Sequence, residues 1–215
     1  MPDSAADEHS VTRKGNPAKP QGEEGALMLA RMNESHAAVT EWGLAFLDIR
    51  PDAAVLDIGC GGGATLHRLA ARAPQGQLTG VDYSPVSVKC ASEFNAADVA
   101  AGRMCIIQAS VEALPFPDAS FDTITTVESF YFWPAPQENL REVRRVLRGG
   151  GSFLLIADIY EKPDLPPAAR ANIALYKLFN PTPEQFEHLF RNAGFRNIAI
   201  HTREGEHWIA VSGQA

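Results

Sequence analysis

The chain has 215 residues, 45% apolar and 21% charged, with a formal net charge of −7, which predicts one soluble domain with a sizeable core. The acidic balance argues against general affinity for nucleic acid, which needs a basic surface, and no apolar run reaches the roughly 18 residues of a membrane span. Cys60, Cys90 and Cys105 are odd in number and unclustered, so no disulfide framework or zinc spacing is present, no metal is expected, and the chain reads as cytoplasmic.

Residues 1–25 are rich in Pro, Gly, Lys, Glu, Asp and Ser without apolar period, which predicts a disordered leader ahead of a domain spanning 26–215. Leu27, Met28, Met32, Val39, Trp42, Leu44, Phe46 and Leu47 then fall at helical spacing, predicting a helix of about 15 residues with Asn33 or Ser35 as cap. His36 on this helix is a candidate general base, although a lone His there is more often a surface or capping residue.

Residues 53–58 read as a buried parallel strand that runs into Gly59-Cys60-Gly61-Gly62-Gly63 and a helix at 64–73. Glycines let backbone approach a ligand closely, and the free N–H groups of the helix face whatever sits in the turn. A nucleotide-like ligand fits such a bend. Gly59-x-Gly61-x-x-Ala64 meets the loose dinucleotide fingerprint, and Asp82, at the end of the next strand, stands where a ribose-binding acid belongs. Asp57, two residues before the first glycine, favours a cationic ligand over a pyrophosphate.

Onward, the pattern predicts a long helix at 84–101 with Val86, Val88, Ala91, Phe94 and Ala97 on its buried face, then a strand at 104–108. A strand at 121–127 ends in Glu128-Ser129-Phe130-Tyr131-Phe132-Trp133-Pro134. Four aromatics beside an acid at a strand's carboxyl end suggest a cleft wall, with Glu128 as base or anchor and Tyr131 and Trp133 against a cation. Packing of Phe130 and Phe132 into the core is the plainer alternative. A helix at 135–148, a strand at 152–158, a loop and helix within 159–180, a helix from Thr182 to Arg191 and a hairpin of 195–202 with 207–212 complete the chain.

Asp57-Ile58-Gly59-Cys60-Gly61-Gly62-Gly63 resembles motif I, D/E-x-G-x-G-x-G, of the class I methyltransferases that depend on S-adenosylmethionine (SAM). The resemblance covers about residues 30–213. The stretch from Met32 to Gly43 is similar to one in a group of small bacterial methyltransferases, and Ala109–Phe116 to the family segment G-D-A-E-x-L-P-F. The resemblance implies a doubly wound α/β fold with a seven-stranded, mostly parallel sheet in the order 3-2-1-4-5-7-6, strand 7 antiparallel. It implies SAM contacts from Asp57, Gly59, Cys60, Gly61, Gly63, Asp82, Tyr83, Ser110, Val111 and Glu128, with Tyr83 against the adenine. Ser110 stands where the family has an Asp, so the bond to the adenine amine loses its charge. The helix at 26–50 is implied to lie over the cofactor and the insertion at 159–180 over the substrate.

The function implied is methyl transfer to a small molecule or small peptide, with Glu128, His36 and Tyr131 as catalytic candidates. An NAD-dependent oxidoreductase and a SAM-binding module without catalysis are the alternatives. The terminal hairpin and Asp57 speak against the first of these.

Overall fold

The computed structural model describes residue 12 and residues 14–215. Seven strands form one sheet: β1 (Ala54–Ile58), β2 (Gln77–Asp82), β3 (Met104–Gln108), β4 (Phe121–Val127), β5 (Leu147–Ala157), β6 (Arg196–Thr202) and β7 (Ile209–Gln214). Their order is β3-β2-β1-β4-β5-β7-β6. All neighbours are parallel except β7, which runs against β5 and β6. This is the order anticipated from the resemblance.

The central strands are apolar on both faces because both faces are covered. Side chains alternate across a strand. Leu56, Phe153, Leu155, Ile209 and Val211 therefore enter one core, with Leu140 and Val143 of α6 (Pro136–Val146) and Phe186 and Phe190 of α8 (Pro183–Asn192). Val55, Leu154, Ile156 and Ala210 enter the other. They meet Val39 and Leu44 of α2 (Ala37–Leu44), Leu66 and Leu69 of α3 (Ala64–Arg72) and Ala91 of α4 (Pro85–Phe94). Each fully buried Leu or Phe contributes roughly 1.5–3 kcal/mol. Phe153, Phe190 and Phe195 pack together with centroids 5.2–5.5 Å apart, the first two stacked and the third tilted against both.

Several boundaries differ from the sequence reading. The helix expected within 26–50 is two helices, α1 (Gly22–Ser35) and α2, separated at His36 (φ −88°, ψ 2°). The helix expected at 84–101 is α4 followed by α5 (Ala96–Ala100), broken at Asn95. Asn95 is buried, and its amide donates to the Gly63 and Ala91 carbonyls at 3.0 Å. The buried face of α4 is Ser87 and Ala91, whereas Phe94 is exposed; small side chains let this helix approach the glycine bend. β5 begins at Leu147, five residues before the expected start, because Leu147 already pairs with Phe121 ahead of a bulge.

The expected leader differs most. Residues 1–11 and 13 lie outside the described residues. In the described part, Pro20 and Gly25 are buried and α1 begins at Gly22. The Ser84 hydroxyl donates to the Pro20 carbonyl at 2.6 Å, so tertiary bonds hold a segment whose composition reads as disordered. In the insertion at 159–180, α7 (Pro167–Tyr176) has no buried residue, and Tyr160 packs into the core. Among the described residues no helix is long and apolar enough to cross a membrane.

Candidate active site

The carboxyl ends of β1, β2 and β4 meet where the strand order reverses, the crevice in which open α/β sheets hold ligands. A cavity of about 370 Å³ opens there. Gly59, Cys60, Gly61, Asp82, Tyr83, Ser110, Val111, Glu128 and His36 line it, as do Phe132 and Trp133.

The bend after β1 is pinned from two sides. The Gly59 and Cys60 amides donate to the Val81 carbonyl at 2.8 and 3.0 Å. From β4, the Thr126 hydroxyl donates to the Ile58 carbonyl at 2.9 Å, and the Ser129 hydroxyl to the same atom at 3.2 Å. Gly59 has φ +72°, and a Cβ on it would lie 2.4–2.5 Å from Ser129. Gly63 ends the bend at φ +85° as the N-cap of α3, with no side-chain cap. Ala64 and Thr65, the first residues of α3, line the cavity, so the orphan amides of that helix start have no competing side chain.

Asp82 closes the wall. One carboxylate oxygen accepts the Gly61 amide at 3.0 Å and the other the Ser84 amide at 2.9 Å. Each oxygen keeps a lone pair for a hydroxyl. Burial pushes this carboxyl up, and the two amides pull it back. These features fit SAM: vicinal hydroxyls suit Asp82, and the uncapped amides suit a carboxylate.

Ser110 is already engaged. Its hydroxyl donates to Glu112 at 3.1 Å and accepts the Glu112 amide at 3.2 Å. Glu112 itself lines the cavity, which brings a carboxylate to the end where the family motif has its Asp. The sequence reading gave it no role. The Tyr83 ring, partly exposed, lines the same end, and its hydroxyl donates to the Ala18 carbonyl. Pro17, Ala18 and Pro20 also line the cavity, as do Leu29, Met32 and Asn33 of α1, whereas no residue of 159–180 does. The cover is thus N-terminal.

At the opposite end stands Glu128, in the left-handed region (φ +56°). Its carboxylate accepts the Tyr131 hydroxyl and the Asp158 amide, and His36 Nε2 lies 3.7 Å from it. Burial, followed by the charge of Asp158, pushes the Glu128 carboxyl well up. Burial holds the His36 imidazole down, against an opposing pull from Asp158, and raises the Tyr131 phenol. Tyr131 and Gly63 do not line the cavity; the Tyr131 hydroxyl reaches it only through Glu128. Phe130 packs on Phe186 and Trp133 in the core, as the plainer alternative held, while Phe132 faces the cavity.

Asp57 does not reach the cavity wall. It is 1% exposed beneath the bend, with its carboxylate accepting the Thr125 hydroxyl at 2.7 Å. Burial, opposed by that bond and aided by the charge of Asp82, pushes it up to about 7. The folded chain therefore binds this proton more tightly than the unfolded one, and the stability it lends falls as pH rises from the unfolded value towards about 7. A positive ligand above the bend favours the ionised form. SAM affinity is therefore expected to rise by up to about tenfold per pH unit below pH 7 and level off above, with one proton released. Calorimetry in buffers of differing ionisation enthalpy checks this; Asp57→Asn is expected to flatten the profile.

Residues 56–155 match the family model described as a methyltransferase domain. With the sheet order and motif I in place, the chain belongs to the class I SAM-dependent methyltransferases. It is 31% identical over 154 residues to 2-methyl-6-phytyl-1,4-hydroquinone methyltransferase 2, chloroplastic, of Oryza sativa subsp. japonica, covering 72% of this chain and 42% of that protein. It is 36% identical over 118 residues to the fatty-acid O-methyltransferase of Mycolicibacterium smegmatis, covering 54% and 41%. The chain thus spans less than half the length of these curated relatives. In fold it is similar to a SAM-dependent methyltransferase from Aquifex aeolicus, with a TM-score of 0.70, 18% identity and coverage of 87% and 97%.

Proposed function

We propose that this chain transfers a methyl group from SAM to a small-molecule acceptor. The observation that carries the reading is the shared wall of one cavity: the bend at 59–63, its Asp82 brace and the uncapped start of α3 at one end, His36, Glu128, Phe132 and Trp133 at the other. When bound, SAM supplies a methyl group on a positively charged sulfur.

The chain's own residues hold the reactants, exclude water and manage a proton. Asp82 takes the ribose hydroxyls, the first amides of α3 the carboxylate, and Tyr83, Val111 and the Ser110–Glu112 pair the adenine end. Phe132 and Trp133 give the far end a dry aromatic wall, which suits a reaction in which positive charge is lost. His36, held neutral by burial, is the residue able to accept a proton from an acceptor hydroxyl or ammonium. Glu128 orients the acceptor, and Tyr131, whose hydroxyl donates to it, positions Glu128.

A cavity of about 370 Å³ lies at the small end of ligand pockets, which favours a compact acceptor over a peptide. The names of the hydroquinone and fatty-acid relatives support the same class. The three free cysteines are consistent with a reducing compartment such as the cytoplasm.

Transfer of labelled methyl to phenols, carboxylic acids and amines tests the reading. For a protonated acceptor, His36→Ala is expected to lower kcat about 100-fold and Glu128→Gln at least tenfold. Wild-type rates in both variants would remove the two from the mechanism. SAM binding without transfer to any acceptor would favour a binding module.

A further inference from the structure

We propose that His36, Glu128 and Asp158 form a binding site for one divalent cation at the acceptor end of the cavity. The ligand atoms of these three side chains all lie within 4.8 Å of one another, and His36 Nε2 stands 3.7 Å from a Glu128 oxygen. A single centre can therefore sit within about 2.8 Å of all three. A contraction of about half an ångström then reaches the 2.0–2.3 Å of ordinary metal–nitrogen and metal–oxygen bonds.

Three elements converge to make the cluster. Glu128 follows β4 and Asp158 follows β5, neighbouring strands in register through Val127 and Ile156. His36 sits at the break between α1 and α2. The Glu128 backbone takes the left-handed region, a costly conformation for a residue with a Cβ, and its side chain is 7% exposed. Among the described residues no Lys or Arg forms an ion pair with either carboxylate; His36 is the basic group that does approach. Two carboxylates in one sheltered cluster without a permanent cation call for positive charge from elsewhere.

One imidazole and two carboxylates form a set suited to Mn²⁺ and neighbouring first-row ions, with open positions for water or an acceptor oxygen. Glu128 and His36 face the cavity, so the ion would give an anionic acceptor oxygen a fixed partner; with the ion bound His36 is a ligand, and the ion instead of the imidazole keeps that oxygen deprotonated. That role rests on the methyl-transfer reading; binding of the ion does not. His36 and Glu128 stand out in the sequence singly, but no spacing motif joins them to Asp158, since the three residues are 92 and 30 positions apart.

The test is a titration of the full chain, stripped with chelator, with Mn²⁺ followed by electron paramagnetic resonance, and with Zn²⁺ and Mg²⁺ by calorimetry. The expected result is one saturable Mn²⁺ per chain, weakened at least tenfold in each of His36→Gln, Glu128→Gln and Asp158→Asn and unchanged in the exposed control Glu34→Gln. Circular dichroism reports folding of each variant, and a SAM titration of Asp158→Asn, a residue outside the cofactor wall, shows whether that wall survives independently. Absence of saturable binding by all three metals would overturn the site, as would binding that every folded triad variant retains. Saturation by methylammonium with none by metal would assign the cluster to an organic cation and overturn it equally.

Discussion

Replacing Gly59 with alanine is expected to lower stability by about 2–5 kcal/mol. At φ +72° a side chain meets the left-handed penalty of roughly 1–2 kcal/mol. The new Cβ would also stand 2.4–2.5 Å from Ser129, and forcing atoms apart in a packed site costs typically 1–3 kcal/mol more. Ser129 cannot retreat freely, because its hydroxyl is bonded to Thr126 at 2.6 Å and to the Ile58 carbonyl. In a domain of this size the melting temperature should fall by roughly 5–15 °C. SAM affinity should fall at least tenfold, since the displaced bend carries the Gly61 amide away from Asp82. Ser129→Gly in the same chain should restore part of the loss, giving a coupling that a double-mutant cycle can measure. Equal losses with and without Ser129 would mean that strain at φ alone is responsible.

Asp82→Ala is expected to weaken SAM binding by at least tenfold, about 1.4 kcal/mol, with a smaller loss in Asp82→Asn. The carboxylate has two tasks. It satisfies the Gly61 and Ser84 amides, and it offers its remaining lone pairs to the ribose. Alanine orphans both amides and removes both acceptors. Asparagine keeps an acceptor for one amide, so the difference between the two variants separates bracing of the bend from contact with the ligand. Calorimetry gives both affinities, and unchanged binding in Asp82→Ala would reject the assignment.

What was legible in the sequence is what short-range pattern encodes. The bend at 59–63 announces itself because an apolar strand, a run of glycines and an amphipathic helix stand side by side, and Asp82 follows at the end of the next strand. The terminal hairpin distinguishes this sheet from a dinucleotide-binding one. Features made by distant partners were not legible. Residues 17–20 look unstructured by composition and are held by Ser84 and Tyr83, far along the chain. Asp57 reads as a wall residue, yet its side chain turns beneath the bend to Thr125 of β4, 68 residues further along the chain and brought adjacent only by the β1–β4 pairing. Asn95 breaks its helix because its amide reaches Gly63, and no local signal marks that. Ser129, Glu112 and Asp158 acquire meaning only once β4, β5 and the bend are brought together.

A calorimetric titration of the wild-type chain with SAM, and separately with NAD, bears on the whole reading of this cavity. One molecule of SAM per chain, saturating and releasing a proton below pH 7, with no heat from NAD, is the outcome expected from an acid beneath a glycine bend and an acid across from it. Saturation by NAD with no heat from SAM would contradict it.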